Sequence, residues 1–317
     1  MKKRFDMSTW MKSVLVVLVC LCNLTFAGEK MDEVAEDGSP GLLIIAHGAP
    51  WPRWNQPVLQ LGEDVVSMLG EGSPFSKIKV VFMEFAKPTV ADGIKEFEQA
   101  GCNRIVAVPL LIAPSSHSHW DIPALLGVYS SSEMEEELKA EGAEIVRSKL
   151  PITITPTISS SDVIQKVMLK RVMEYSKSPK DEAVVLLAHG DHVIPNVWND
   201  FMKQTITFIC GNSKISYGDW ACVEMGQSYT DAVSAIAKAG EKRKRVIVVG
   251  SYLSMGVDKL HQRWLKTNSG EVHGHSEAED PFDGIEVVCA SKGLLPDKLV
   301  AEWIVETAVS EIDRNGK

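Results

Sequence analysis

Apolar residues along this chain group into two kinds of segment. Short continuous apolar runs alternate with longer segments in which apolar residues recur every three or four positions. The first kind is typical of strands buried on both faces of a parallel sheet, and the second of helices that cover such a sheet. In the first half this predicts strands at 42–46, 80–86 and 104–112 and one within 144–155, with helices near 56–69, 90–100 and 161–175. A further helix is expected before the fourth strand. Strands that alternate with helices require crossover connections, which favours a parallel α/β fold.

The same order of signals occurs a second time. It predicts strands at 184–188, 221–226, 245–253 and 285–290, and helices near 196–209, 229–239, 257–266 and 296–312. Both copies open with an apolar run that stops at Ala-His-Gly, and His189 follows His47 by 142 positions (189 − 47). We therefore predict an α/β protein of two similar, duplicated four-stranded parallel-sheet domains, over residues 41–178 and 181–315, that face a central cleft.

The N-terminal segment has a different composition. Basic residues precede an apolar run at 13–27 that ends in small residues, which is typical of a secretory signal peptide. We predict a signal peptide at 1–27, a polar linker at 28–40, and an exported, periplasmic protein with no stable membrane insertion after cleavage. An uncleaved anchor or a lipoprotein are the alternatives.

Charge and cysteine content exclude several classes of partner. The whole chain carries 33 basic and 42 acidic residues; without residues 1–27 the balance is 29 minus 41, or −12. That balance argues against broad binding of nucleic acid or of anionic membranes. Four cysteines then remain, with spacings that match no zinc or redox motif. We expect buried thiols, with a Cys210–Cys222 disulfide as the alternative.

Three predicted strands of the first half end at residues that can bind metal. His47 follows the first strand, Glu84 closes the second, and His117 comes just after the third, with His119 two positions later. Parallel strands deliver their carboxyl ends to one crevice, where open α/β sheets bind ligands. Imidazole and carboxylate together suit divalent Co, Ni, Fe or Zn, and the same groups accept protons near neutral pH.

Four motif blocks resemble a known family. They read LLIIAHG, FMEFAKPTVADGI, PLLIAPSSHSHWDIP and ITPTISSSDVI, and together they cover residues 41–175. They are similar to the blocks of the CbiX/SirB/CbiK-type class II tetrapyrrole chelatases. The resemblance implies a lyase of cobalamin biosynthesis that inserts a divalent metal into sirohydrochlorin or a related tetrapyrrole. Co²⁺ is the metal expected first, with Fe²⁺ or Ni²⁺ as alternatives, and no organic cofactor is implied.

The resemblance also assigns roles to residues. His47, Glu84 and His117 match the family's metal-binding and catalytic positions, while His119 has no firm counterpart. In the second half, His189 and Glu224 repeat two of the three positions, but Asp258 stands opposite His117. The second domain therefore reads as a degenerate partner.

Other residues are candidates for the substrate or for metal capture. We predict a substrate-binding set made of Trp51, Arg53, Trp120, His189 and Glu224. Cations near the cleft would suit a polycarboxylate substrate, and these are Arg53, Lys87, Lys259 and Arg263. The loop 270–284 carries His273 and His275 among acidic residues and is a candidate for metal capture.

Two other functions were weighed against an enzyme of this kind. A non-catalytic exported protein that binds tetrapyrrole or metal is the main alternative, because tetrapyrroles are made in the cytosol. An α/β hydrolase lacks support, since the chain has no Gly-x-Ser-x-Gly segment. The sequence leaves open a homo-oligomer.

Overall fold

The computed structural model describes residues 38–191, 193–223, 229–268 and 281–315. The predicted signal peptide, nearly all of the linker, Glu224, and the His273/His275 loop lie outside these described residues. Within the described ranges, no helix has both the length and the apolar character needed to cross a bilayer.

The first half forms one four-stranded sheet and its helices. Its strands are β1 (Gly41–Ala46), β2 (Lys77–Phe82), β3 (Ile105–Pro109) and β4 (Ile152–Ile154). Its helices are α1 (Pro52–Leu69), α2 (Val90–Gln99), α3 (Ile122–Leu125), α4 (Ser132–Ala140) and α5 (Val163–Tyr175). The strand order is β2-β1-β3-β4, and all pairs are parallel.

The second half repeats this arrangement. Its strands are β5 (Glu182–Ala188), β6 (Tyr217–Cys222), β7 (Arg245–Ser251) and β8 (Glu286–Cys289). Its helices are α6 (Pro195–Asn212), α7 (Thr230–Lys242), α8 (Asp258–Asn268) and α9 (Lys298–Asn315). The order β6-β5-β7-β8 is again parallel throughout. The predicted fold class, two duplicated four-stranded parallel α/β units, is confirmed.

The central strands are buried on both faces, as their continuous apolar runs predict. Every residue of β1 and of β5 is buried. In β1, Leu42 and Ile44 join a core that also contains Val184 and Leu186 of β5, whereas Leu43 belongs to a separate core on the outer face of its own sheet. One apolar core therefore runs through both halves, between the two sheets.

Two strands occupy different residues from those predicted. Strand β2 begins at Lys77 and ends at Phe82, so Glu84 lies in the turn beyond it rather than within it. Strand β2 lies at the edge of its sheet, and Lys77 and Lys79 interrupt its apolar pattern. Their amines pair with the Glu96 carboxylate of α2 at 3.1 and 2.6 Å. Strand β6 likewise spans 217–222 instead of 221–226.

The closing helix of each half packs on the other half. Helix α5 lies against β7 and α6 of the second half, and α9 lies against β3 and α1 of the first. The buried residues Met168 of α5 and Trp303 of α9 belong to the core that both halves share. Local sequence patterns give the helices but not this exchange, and the domain boundaries at 41–178 and 181–315 stay a prediction.

The cysteines that the structure describes are all free. Cys102 is buried, and Cys210, Cys222 and Cys289 are partly buried. The structure therefore holds no Cys210–Cys222 disulfide.

Candidate metal and substrate site

Three chain segments bring His47, Glu84 and His117 together at the carboxyl edge of the first sheet. Each residue is half-buried, and each offers a ligand atom that lies within 4.8 Å of the ligand atoms of the other two. The imidazole rings of His47 and His117 meet edge to face, with centroids 4.8 Å apart. Among the described residues this is the one group of three or more His, Cys, Asp or Glu side chains with such spacing.

The turn after β1 fixes the orientation of His47. Its Nδ1 lies 3.0 Å from the carbonyl oxygen of Gly48. Because a carbonyl only accepts hydrogen bonds, neutral His47 carries its proton on Nδ1 and leaves Nε2 free as a ligand. Gly48 has φ +94°, and a Cβ there would overlap the carbonyl oxygen of Glu84. Only glycine fits this turn and lets the His47 and Glu84 segments approach so closely.

A turn of π-helix presents His117. It spans His117–Asp121, and the Asp121 Oδ2 atom lies 2.6 Å from Nδ1 of His117. The carboxylate accepts the Nδ1 proton, orients the ring and leaves Nε2 free, an arrangement common around metal-binding histidines. The four-residue spacing places both side chains on one side of the turn. Asp121 was not among the predicted site residues, although a carboxylate four positions after a candidate ligand was a usable signal.

Glu84 is held in a strained turn. Its backbone N–H donates to the His47 carbonyl at 2.9 Å, which ties the two segments together. The next residue, Phe85, has φ +58°, a conformation that is uncommon for a side chain of this size. The Phe85 ring is 65% exposed and lies 6.1 Å from the His47 ring, centroid to centroid. The turn thus places a carboxylate beside the histidines and an aromatic ring next to them.

Negative charge around the group favours protonated imidazole. The hydrogen bond that His117 donates to Asp121 raises the pKa of His117 above its usual value; burial opposes this, and the charges of Asp121, Glu84 and Asp191 add to it. The pKa of Glu141, at the end of α4, is raised by burial and by the nearby charges of Glu84 and Asp121. His117 is therefore well suited to hold either a metal ion or a proton.

A cavity of about 610 Å³ has His47 and His117 in its wall, whereas Glu84 is not among its lining residues. Mostly apolar side chains line it, from both halves: among them Trp51, Trp54 and Phe85 from the first, and Trp198, Tyr252 and Met255 from the second. This size and lining are typical of a site for a flat organic molecule.

The predicted substrate residues separate into two groups. Trp51, 53% exposed, and His189 line the cavity. Arg53 and Trp120 are not among its lining residues, and Glu224 lies outside the described residues. Over the described ranges the cavity has no Lys or Arg in its wall, so Lys87, Lys259 and Arg263 do not line it either. His119 lines a second cavity of about 690 Å³ instead.

The matching edge of the second sheet has the turn but different surroundings. The Nδ1 atom of His189 lies 2.8 Å from the Gly190 carbonyl, as in the first copy. His261 is 8% exposed, and its ring packs on Phe282 at 5.2 Å and on Tyr229 at 6.0 Å. It is a core residue, and Asp258 begins helix α8. This agrees with the expectation that the second copy lacks a counterpart of His117.

Comparison with known proteins agrees with the fold and identifies the family. The sequence model of the CbiX family matches residues 41–175. A sirohydrochlorin cobaltochelatase of Saccharolobus solfataricus is 32% identical over 139 residues, which are 44% of this chain and 98% of that protein. Another from Methanococcus maripaludis is 28% identical over 92 residues, 29% of this chain and 61% of that protein.

Solved structures share the two-sheet architecture. SirB from Bacillus subtilis with Fe³⁺ superposes with a TM-score of 0.60 at 14% identity, over 86% of this chain and 95% of that one. The CbiX described as the terminal enzyme for siroheme biosynthesis in denitrifying bacteria gives a TM-score of 0.51 at 13% identity, over 85% and 98%. These structures share the two-sheet α/β fold, and the sirohydrochlorin cobaltochelatase relatives place the chain among the metal chelatases. Within that class, the chain belongs to the CbiX family of chelatases.

Proposed function

We propose that this protein inserts a divalent metal into sirohydrochlorin or a closely related tetrapyrrole, with His47, Glu84 and His117 as the residues that bind the metal. The observation that carries the proposal is the convergence of three ligand atoms within 4.8 Å of one another, with the two histidines in the wall of an apolar cavity. The names of the similar proteins point to the same substrate.

Three ligands suit a metal that must be released. A closed four-ligand site of the structural kind would retain the ion, whereas an incomplete set leaves coordination positions open for the incoming macrocycle. The two imidazole Nε2 atoms and the Glu84 carboxylate hold the ion on one side, and the pyrrole nitrogens approach from the cavity.

The same histidines account for the protons. Insertion replaces two pyrrole N–H protons by one M²⁺ ion, so the net charge of the macrocycle does not change. As the ion moves to the pyrrole nitrogens, the Nε2 lone pairs of His47 and His117 become free, and each accepts one proton. Asp121 and Glu84 stabilise the imidazolium that forms at His117.

The choice of metal follows from the relatives rather than from the ligand types. Imidazole and carboxylate bind Co²⁺, Fe²⁺ and Ni²⁺ alike. We take Co²⁺ first, because the similar curated proteins are named cobaltochelatases, with Fe²⁺ and Ni²⁺ to be compared beside it.

An absorbance assay tests the proposal. Sirohydrochlorin and Co²⁺ are mixed with the wild type, with His47→Ala and with His119→Ala, and the spectrum of the metallated product is followed. We expect the wild type and His119→Ala to insert the metal faster than the uncatalysed reaction of Co²⁺ with sirohydrochlorin, and His47→Ala not to. His119→Ala should stay active because His119 lines the other cavity. Equal rates for the wild type and His47→Ala would contradict the assignment.

A binding protein without catalysis is the second candidate, and the predicted export favours it. Tight binding of sirohydrochlorin by the wild type with no acceleration of insertion would identify that function. We further propose that the protein is exported through residues 1–27. Fractionation of cells that produce the full chain, with N-terminal sequencing of the product, tests this, and a cytosolic product that retains residues 1–27 would refute it.

A further inference from the structure

We propose that Asp191, from the second half of the chain, is a positioning residue for His117 of the first half. The inference rests on the proposed function, because it assigns to Asp191 a part in the same metal site. Asp191 lies in the wall of the main cavity, two positions after His189.

The Asp191 carboxylate connects the two halves at the site. Its Oδ2 atom accepts hydrogen bonds from the backbone N–H of Ser116 at 3.1 Å and from the Ser116 hydroxyl at 3.5 Å. Its Oδ1 atom accepts from the N–H groups of Val193 at 2.8 Å and Ile194 at 3.2 Å, just before α6. One side chain thus fixes the start of α6 to the residue that precedes His117.

The other side-chain hydrogen bonds described for this turn are internal to it. Ser118 Oγ accepts from the Ser115 N–H and donates to the Ser115 carbonyl, at 2.9 and 3.0 Å. Asp121 binds the imidazole of His117 within the same turn. These bonds shape the turn, but they do not determine where it lies relative to His47 and Glu84. The hydrogen bond from Ser116 to Asp191 helps to fix that position, because the Asp191 carboxylate is itself held by the N–H groups just before α6.

The two Ala-His-Gly copies differ at this position. Ala49 follows Gly48 in the first copy, and Asp191 follows Gly190 in the second. Alanine has no side-chain acceptor, so the first copy cannot make the reciprocal contact. The second copy, which lacks a counterpart of His117, therefore supplies a carboxylate that holds the His117 turn in place. The metal site of the first half is incomplete without the second.

Substitution at Asp191 must separate this role from helix capping. Asp191→Ser keeps a hydroxyl that can accept from the Val193 and Ile194 N–H groups but is too short to reach Ser116. Pro195→Ala is the matched control, because it alters the first residue of α6 and leaves the Ser116 contact intact. For each full-length variant we would measure Tm, kcat and KM for insertion of Co²⁺, and the visible spectrum of Co²⁺ bound without macrocycle.

For Asp191→Ser we expect kcat to fall about tenfold, the lower end of the effect seen when a partner of a metal ligand is removed. The Co²⁺ spectrum should change, because the ligand geometry changes, and the loss in kcat should exceed any rise in KM for sirohydrochlorin. Pro195→Ala should lower Tm at least as much and leave kcat and the spectrum unaltered. Equal kcat and spectra in Asp191→Ser and the wild type, or parallel losses in both variants, would overturn the inference.

Two further results keep the test decisive. If Asp191→Ser does not fold, Asp191→Asn replaces it. The amide keeps the shape of the side chain, but its single oxygen can accept either from Ser116 or from Val193 and Ile194, not from both. We therefore expect a loss of kcat smaller than the tenfold loss in Asp191→Ser. Wild-type kcat in Asp191→Asn would then count against the inference. If the wild type itself inserts no metal, the proposed function fails, and the Co²⁺ spectra alone still test the positioning of His117.

Discussion

The two halves of this chain share a backbone turn and differ in nearly everything that surrounds it. Gly48 and Gly190 both have positive φ, and His47 and His189 both contact the carbonyl of the following glycine. In the first half the turn faces Glu84 and His117, whereas in the second half the neighbouring histidine is buried in an aromatic cluster.

The comparison separates what the fold requires from what the chemistry requires. A Cβ at Gly48 would overlap the Glu84 backbone, and one at Gly190 would lie 2.8 Å from Cβ of Cys222, so both turns need glycine for packing reasons alone. The repeated Ala-His-Gly motif is therefore evidence for a repeated turn. The proposed chemistry depends on side chains that follow two further strands, and among the described residues only the first half brings these together.

The largest expected effect compares the two histidines directly. His47→Ala should lower kcat for metal insertion about 1,000-fold, within the range seen when a group that transfers protons is removed. His189→Ala should cost about tenfold and mainly in KM, because His189 lines the cavity and belongs to no candidate metal-binding group among the described residues. Steady-state insertion kinetics measure both. Comparable losses of kcat in the two variants would show that the halves are equivalent after all.

The next effect concerns the free energy of unfolding. We expect the two halves to unfold together in one cooperative transition. Trp303 of α9 is 4% exposed in the core that both halves share. Trp303→Ala should lower the free energy of unfolding by about 3 kcal/mol, as is usual for loss of a buried aromatic ring. Met173→Ala, at a residue of α5 that is 43% exposed, serves as the control and should cost under about 0.5 kcal/mol.

Denaturant titration followed by far-UV circular dichroism and by tryptophan fluorescence measures this loss. The two probes should report one coincident transition in Trp303→Ala, because each half contributes a helix to the other. Two separate transitions would mean that the halves unfold independently.

A smaller effect distinguishes Asp121 from Asp258, the residue of the second half that stands opposite His117 in the repeat. Asp121→Asn should reduce Co²⁺ affinity about 10- to 100-fold, since Asp121 orients a candidate ligand. Asp258→Asn changes a residue that neither belongs to the ligand group nor lines the cavity, and should leave the affinity within about twofold. Titration of each variant with Co²⁺ measures the affinities. Equal losses of Co²⁺ affinity in the two variants would show that the site does not depend on Asp121 more than on Asp258.

The same variant has a defined pH dependence. The pKa of His117 is raised chiefly by the Asp121 hydrogen bond, so Asp121→Asn should lower it. Protons compete with the metal below the pKa of His117, and the acid limb of metal binding should therefore move to lower pH in the variant. In the metal-free protein, the stability from this pair is fully present below the ordinary His pKa and is lost as pH rises through the raised one. An acid limb at the same pH in both proteins would contradict the role of Asp121.

The smallest effect is the expected resistance of the Cys289 thiol, in the second half, to alkylation. Burial, with the Asp258 charge added, raises the pKa of Cys289 to about 12. Thiolate is the reactive form, so Cys289 should resist iodoacetamide at pH 8 in the native protein and react once the chain is unfolded. Peptide mass spectrometry of labelled samples tests this. Rapid native labelling would show that the second sheet edge is open like the first.

The sequence predicted the sheets, and the structure shows which signals carried that prediction. The apolar runs of β1 and β5 are buried on both faces, so each gave an unambiguous pattern that ends at a histidine. Edge strand β2 was predicted less well because Lys77 and Lys79 alternate with Ile78 and Val80 over its first four residues, so that only its last residues form a continuous apolar run. Its true end at Phe82 places Glu84 in a turn, although Glu84 still reaches the histidines.

The features that the sequence did not reveal are mostly contacts between residues far apart along the chain. Asp121 contacts His117 within one turn and could have been recognised from spacing. Asp191 contacts Ser116 across 75 positions, and no local pattern indicates such a pair. The exchange of α5 and α9 is hidden for the same reason: an amphipathic helix shows which face it buries but not which sheet covers it.

That exchange sets the order in which the protein is completed as it is made. Ribosomes release the first sheet early, but one helix that covers it is formed by Lys298–Asn315 of the second half. The half that carries the candidate metal ligands is thus synthesised before one of its own covering helices. A nascent chain would lack that helix, and the second wall of the cavity, until the second half had emerged.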